Sequence, residues 1–507
     1  MPLPDVPINR EPNRRWINRH LNVQQDLDEL ITVWKPATGS VVEKYKAVAK
    51  ALEGLIAEAI ADQVRIRGLG SSWSISRVAA VNGRLVDTKP LNDIIYLRAD
   101  QLDPGYAGSA EGLILAQCGT GIMELHNYLN PRGRSIRTCG ASNGQTIAGA
   151  IATGTHGSAI DVGSLQDSVV GLHLVLNQRQ VWLERASYPV MTEETAKKLG
   201  ADLKQDDALF NAALVSFGAF GFVHGVLLET DPLFVLEAWR RKVPRDASLE
   251  NALTTLDFDG YALPGPAGST DYPFHVDTLI NPFKTQEYLF LRAMYRRPGD
   301  TPHPPVVRED GIGPGDDAAA FLGALTDTLP DVTPVIVKAA TDMAGKDLSD
   351  VKGSLAEMFS HTDPRGKVLG TGIGCDKKDC FRVLDVIAGE LAGGEPVPAL
   401  SAFRYVKGSG ATLAFTRFPT SCIVDIDLVN SSRGRDFLRR CWKALSQSGI
   451  EHTLHWGKAN NLTATKIRKM YGDAAVGSWI QSREDLLDAP TRAVFTNAFL
   501  ESVGLTS

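Results

Sequence analysis

Between Cys139 and Ser158 the chain reads CGASNGQTIAGAIATGTHGS, where nearly every residue is small or a hydrogen-bonder. Such a stretch can lay backbone N–H groups along a flat polar ligand, because no bulky side chain stands between them. A tightly packed loop in a β-rich domain uses the same residues, so both uses stay open. A second run, Arg67-Gly68-Leu69-Gly70-Ser71-Ser72-Trp73-Ser74, follows directly on the strand-like VRIRG at 64–68. Its consecutive N–H groups suit a nest for phosphate oxygens, and Ser71, Ser72 and Ser74 add hydroxyl donors. A plain tight turn is the other reading. It is not the dinucleotide fingerprint, because GxGxxG needs a third glycine where Trp73 stands.

Around these runs the chain has the pattern of an α+β protein. In 40–63, Val48, Leu52, Leu55, Ile56 and Ile60 share one stripe of an amphipathic helix. Strands are expected at 83–88 and 112–119, as a pair around an Asn turn in 168–183, and as a glycine-punctuated strand in 217–230. The pattern changes near 232. Residues 272–295 read as aromatic strand and 297–317 as an exposed Pro/Gly-rich loop. Helices are expected through about 395, then strands at 402–406 and 421–429 and a helix at 433–448. In the strand SCIVDIDLV, Asp425 and Asp427 share one face, pointing either into a cavity or to water.

Composition removes several function classes. A chain of 507 residues allows roughly two to four domains. Net charge is -6, without basic blocks, which argues against a nucleic-acid partner. No run of about 18 apolar residues reads as a membrane span. The N-terminus lacks the apolar core of a secretory signal. Six scattered cysteines are too few for a disulfide scaffold and read as buried, reduced thiols, with cytoplasm the default compartment. Cys375 and Cys380 lack a second ligand pair, so no metal site is expected.

Taken together, GLGSSWS, GASNGQTIAGAIATGTHGS, FGAFGFVHGV and His455-Trp456-Gly457-Lys458 resemble the vanillyl-alcohol oxidase superfamily, with its PCMH-type FAD-binding domain. Within it they are most similar to the aldonolactone and alditol oxidase branch, which includes flavin sterol oxidases. The resemblance implies a two-part FAD-binding domain, 1–231 with the C-terminal segment 451–507 returning to it. Residues 232–450 would form a substrate domain with a large antiparallel sheet flanked by helices. It implies FAD contacts from Arg67, Gly68, Leu69, Gly70, Ser71, Ser72, Trp73 and Ser74. The second run would contribute Gly140, Ala141, Ser142, Gln145, Thr146, Gly149, Thr153, Gly154, Thr155 and His156. Val223 would contact the adenine end, and Lys458 would sit beside the N1/C2=O edge of the ring. His156 on its own would read as a satisfied core histidine.

Three departures from the family pattern carry information. Many members have a histidine linked to the flavin 8α-methyl where this chain has Ser71, so the FAD is expected to be non-covalent. Some relatives add a cysteinyl link near Cys139, here read as a plain buried thiol. Gly140 falls at a position that resembles a gate to flavin C4a, and its lack of a side chain favours oxygen access. The Glu-x-Arg pair of alditol-type members keeps Arg404 but has Ala402 in place of the glutamate.

The expected activity is oxidation of a CH–OH group of a small-molecule alcohol, with hydride passing to flavin N5. Dioxygen would be the acceptor, giving hydrogen peroxide. A dehydrogenase that hands electrons to a quinone or protein is the alternative. Expected catalytic residues are Arg404 on the substrate oxygen, Asp425 as base, Lys458 stabilising negative charge on the ring and His455 supporting Lys458. Acid precipitation should leave yellow flavin in the supernatant and a colourless pellet. A yellow pellet would mean that another residue, Cys139 first, makes a covalent link.

Overall fold

The computed structural model describes residues 2–306, 333–359 and 368–506. Helix α1, Val41–Ala61, begins at a reciprocal cap in which Ser40 and Glu43 bond each other's backbone N–H. Its apolar stripe, Val48, Leu52, Leu55 and Ile56, is buried with Ile31, Ile66 and Val86 of a four-stranded sheet. That sheet runs in the order Ile8–Pro12, Glu29–Val33, Gly83–Asp87 and Arg65–Leu69, the last being β1. β1 therefore delivers the first glycine-rich run at its C-terminal end.

A six-stranded sheet follows, ordered Asp202–Gln205, Arg179–Glu184, Val169–Leu176, Phe222–Glu229, Leu113–Gln117 and Ile94–Tyr96. The strand pair expected in 168–183 forms, turning through Asn177 and Gln178, with Gln178 at φ 55°. The strand expected from 217 begins only at Phe222. Phe217, Gly218 and Gly221 have φ of 53°, 70° and 86°, so the chain turns there instead.

Beyond residue 232 an eight-stranded antiparallel sheet dominates. Its order is Leu348–Gly353, Phe234–Pro244, Tyr288–Pro298, His275–Leu279, Ala399–Lys407 (β3), Thr420–Val429 (β4), Val368–Asp376 (β2) and His452–Leu454. The reading of helices through about 395 is corrected here. Helices Thr333–Ala344 and Cys380–Ala392 do form, but two strands stand among them. The aromatic stretch 272–295 divides into two strands, and residues 307–317 of the expected loop lie outside the described residues. β2 was unreadable because its sequence, VLGTGIGCD, shows no polar–apolar alternation. Its alternation is glycine against side chain, at Gly370, Gly372 and Gly374.

The C-terminal helices pack back on the first 230 residues. In α2, Asp473–Leu486, the Trp479 indole donates to the Val215 carbonyl at 3.3 Å. Arg483, 2% exposed, donates to the carbonyls of Ala219 at 3.0 Å and Arg492 at 2.8 Å, and to Thr496 Oγ1 at 2.9 Å. The Asn497 amide donates to the carbonyls of Val78 and Ala80. Arg483→Ala should lower stability by about 2–4 kcal/mol, because it strands the carbonyl of buried Ala219 in the 217–221 turn together with that of Arg492. Urea midpoints of the two proteins check this, and a loss below about 1 kcal/mol would mean that water replaces the arginine.

Candidate active site

The two glycine-rich runs meet in space. A Cβ on Gly70 would stand 2.2 Å from Thr146 Oγ1, so only glycine fits there. Ser72 has φ 59°; its hydroxyl accepts from the Trp16 indole at 3.1 Å and its carbonyl from the Arg19 N–H at 3.0 Å. The same loop is stitched to the C-terminal motif. The Ile75 N–H donates to the Gly457 carbonyl at 2.7 Å, and the Ser76 hydroxyl to the Trp456 carbonyl at 2.6 Å.

Between these segments lies a cavity of about 280 Å³. Every residue named above as a cofactor contact lines it except Gly154, which has φ 78° and packs beneath Phe415. Arg404, His455 and Lys458 line it, while Asp425 stands behind them. Arg67 is a buried strut as well as part of the wall, donating to the carbonyls of Phe217 and Phe495. Burial first, and nearby Arg483 second, lower its pKa to about 9. Gly140 is also on the wall, but a Cβ there would meet Thr155 Cγ2 at 3.3 Å and Ser142 O at 3.4 Å. Its missing side chain thus serves close loop packing as well as space.

The charged cluster is built by strand register. β3 and β4 place Ala402 directly opposite Asp425, so a carboxylate stands across the ladder from the alanine. On the other side of β4, Gly372 stands opposite Asp425 and Gly370 opposite Asp427. A Cβ on Gly370 would lie 2.5 Å from Asp427 Oδ1, and one on Gly372 would lie 3.0 Å from Asp425 Oδ1 and 3.2 Å from His455 Cβ. The bare glycine face is what admits both carboxylates and His455. Lys458 Nζ donates to Asp425 Oδ1 at 2.7 Å and to Asp427 Oδ1 at 3.3 Å, and Arg404 Nε is 3.5 Å from Asp425 Oδ2.

Burial alone would raise the pKa of Asp425, but Lys458 and Arg404 outweigh it and hold the carboxyl well below its usual range. Burial likewise works against the charge on Lys458, and Asp425 with Asp427 more than restores it, leaving the ammonium above its usual value. The cluster is therefore a fixed array of charges, and Asp425 is a poor proton acceptor. Burial keeps His455 well below the usual histidine value and lowers His156 to about 4, so both rings are neutral.

His20 escaped the sequence reading. It sits between the strands Arg15–Ile17 and Gln24–Asp26, is 3% exposed, lines the cavity and packs edge-on against Trp73 at 5.7 Å. Burial lowers its pKa to about 4. No local pattern marks it, since only the fold brings residue 20 beside residue 73.

Residues 41–182 match the family model described as FAD binding domain. Over 182 residues the chain is 30% identical to a putative D-arabinono-1,4-lactone oxidase of Neurospora crassa, covering 36% of this chain and 28% of that protein. It is 29% identical over 206 residues to an L-gulono-1,4-lactone dehydrogenase of Mycobacterium tuberculosis, covering 41% of this chain and 40% of that one. The chain thus spans well under half the length of these curated relatives. Over the whole chain the fold is that of a cholesterol oxidase from B. sterolicum, with TM-score 0.68, 16% identity and 99% of each chain covered. Among the described residues, no helix is long and apolar enough to cross a membrane.

Lys458→Met should cost about 1–3 kcal/mol near pH 7, because it leaves the buried Asp425 carboxylate with Arg404 alone. A carboxyl whose folded pKa is depressed contributes stability that is complete above its unfolded value, about 4. That contribution is lost as pH falls toward the folded value. The gap between wild type and variant in urea unfolding should therefore narrow below about pH 4. A gap that does not change with pH would remove this ion pair as its cause.

Proposed function

We propose that this chain, a member of the PCMH-type FAD-binding superfamily, is an FAD-dependent oxidase of CH–OH groups in small-molecule alcohols or lactones. The observation that carries the reading is the fixed Arg404–Asp425–Lys458 array, opening on the cavity that both glycine-rich runs enclose.

The residues present fit FAD. The Gly70–Thr146 cradle would be filled by any Cβ. Buried Gln145 Oε1 and His20 Nδ1 have no protein partner among the described residues, as expected of atoms that meet a ligand. We read Gly68–Ser74 and Gly140–His156 as the binding loops and Ser71 as the reason the FAD is non-covalent. We also read 1–231 with 451–507 as the FAD unit and 232–450 as the substrate unit. The bonds of Arg483 and Asn497 support that division. Six free, buried cysteines support a cytoplasmic setting.

FAD, when bound, supplies a hydride acceptor at N5 and a route for two electrons to dioxygen, giving hydrogen peroxide. The chain supplies orientation and charge. Arg404 holds the substrate oxygen, and Lys458 puts a cation where negative charge accumulates. Asp425 fixes both cations in place and, being ion-paired, is not itself the base. The name of the mycobacterial relative keeps the dehydrogenase reading as the second one.

Anaerobic mixing with a panel of aldono-1,4-lactones, alditols and sterols, followed by air, tests the proposal. Bleaching by at least one member, rapid recovery of the yellow colour and stoichiometric peroxide are expected. Bleaching without recovery in air would favour the dehydrogenase, and no bleaching would overturn the oxidation of CH–OH groups.

A further inference from the structure

Alcohol oxidation releases a proton as well as a hydride, and the site needs an acceptor for it. Asp425 does not line the cavity, is wholly buried and is held by Lys458 and Arg404. Asp427 lines it but is also paired with Lys458, at 3.3 Å.

Of the three histidines that line the cavity, His20 packs on Trp73, whereas His156 and His455 stand beside Arg404 and Asp425, and the backbone assigns the tautomers of these two. His156 Nδ1 is 3.0 Å from the Gly157 carbonyl, which can only accept, so Nδ1 carries the hydrogen. The neutral ring therefore presents a bare lone pair at Nε2. His455 is the reverse. Its Nδ1 accepts the Gly457 N–H at 2.9 Å, so its hydrogen is on Nε2. Phe415 packs on both rings, edge-on to His156 at 5.3 Å and tilted against His455 at 4.5 Å. The ring centres are 5.7 Å apart. One acceptor and one donor thus share the wall with Arg404 and Lys458.

We infer that His156, through Nε2, is the proton acceptor for the substrate hydroxyl, with His455 Nε2–H a hydrogen-bond donor beside it. The inference rests on the CH–OH oxidation proposed above. In the step, the substrate O–H bond breaks and its proton goes to His156 Nε2. The O–H electron pair becomes the second bond of the new carbonyl. The C–H bond breaks with its electron pair, leaving as hydride to the flavin, the two-electron oxidant. Dioxygen later takes up the two electrons, and with two protons becomes hydrogen peroxide; the proton on His156 is given up in the same turnover. Arg404, Lys458, Asp425 and His455 are the charged and titratable groups that face the ring. Burial and the two cations disfavour a charged imidazole, and Asp425 opposes them in part.

His156→Asn is the discriminating variant, because the amide can keep donating to Gly157 while the Nε2 acceptor is gone. FAD-loaded His156→Asn should still photoreduce, which shows that its flavin is bound and redox-active. Its anaerobic reduction by the best member of the substrate panel should fall by about 10²–10⁴-fold. Reduction at the wild-type rate would overturn the inference and leave the proposed activity standing. No reduction of wild type by any panel member would remove the activity itself, and the inference with it. A second measurement needs neither turnover nor a folded variant. In ¹⁵N-histidine-labelled, FAD-loaded wild type, His156 should show a protonated Nδ1 and an unprotonated Nε2 from about pH 8 to about pH 5. A proton on Nε2 in that range would overturn the assignment whatever the kinetics.

Discussion

A carboxylate with no exposure to water is tolerated only where cations reach it, and Asp425 is the point on which this site turns. Lys458 comes from the loop after the last sheet strand and Arg404 from the neighbouring strand, and each meets one oxygen of that carboxylate. The pairing keeps Asp425 ionised and Lys458 charged despite their burial. It orients Lys458 into the cavity rather than to solvent, and it pins the His455–Lys458 loop against β4. That loop also accepts the bonds of Ile75 and Ser76, so the wall built from the first glycine-rich run depends on the same anchor.

The space for that carboxylate comes from what β2 lacks. Along the face turned toward Asp425 and Asp427 the strand presents Gly370 and Gly372, and a methyl group at either would crowd a carboxylate oxygen. Glycine in a strand interior ordinarily weakens it. Here the cost falls on a strand flanked on both sides by other strands, and the freed volume holds the charges. Ala402, small as well, stands across the ladder from Asp425 on the other side.

Much of this was legible because it is local. The apolar stripe of α1, the hairpin in 168–183 and both glycine-rich runs are written in spacing and residue type. The runs were visible because small residues are needed wherever backbone must come close to a ligand, and nearly all the residues they nominated do line the cavity. The illegible parts are of two kinds. β2 failed because its pattern alternates bulk rather than polarity, and the turn at Phe217 failed because a β-rich composition hid a left-handed backbone. His20 and the roles of the histidines failed for a different reason. A tautomer is set by a partner such as the Gly157 carbonyl or the Gly457 N–H, and residue type says nothing about which nitrogen is bonded.

The bonds from Ile75 and Ser76 to Gly457 and Trp456 join positions about 380 residues apart in sequence. The wall is therefore closed by contacts of very long range, which loop-closure entropy makes costly to form before the segments between them have folded. A lesion that loosens either partner, the first glycine-rich loop or the Trp456–Gly457 turn, opens the same stretch of wall.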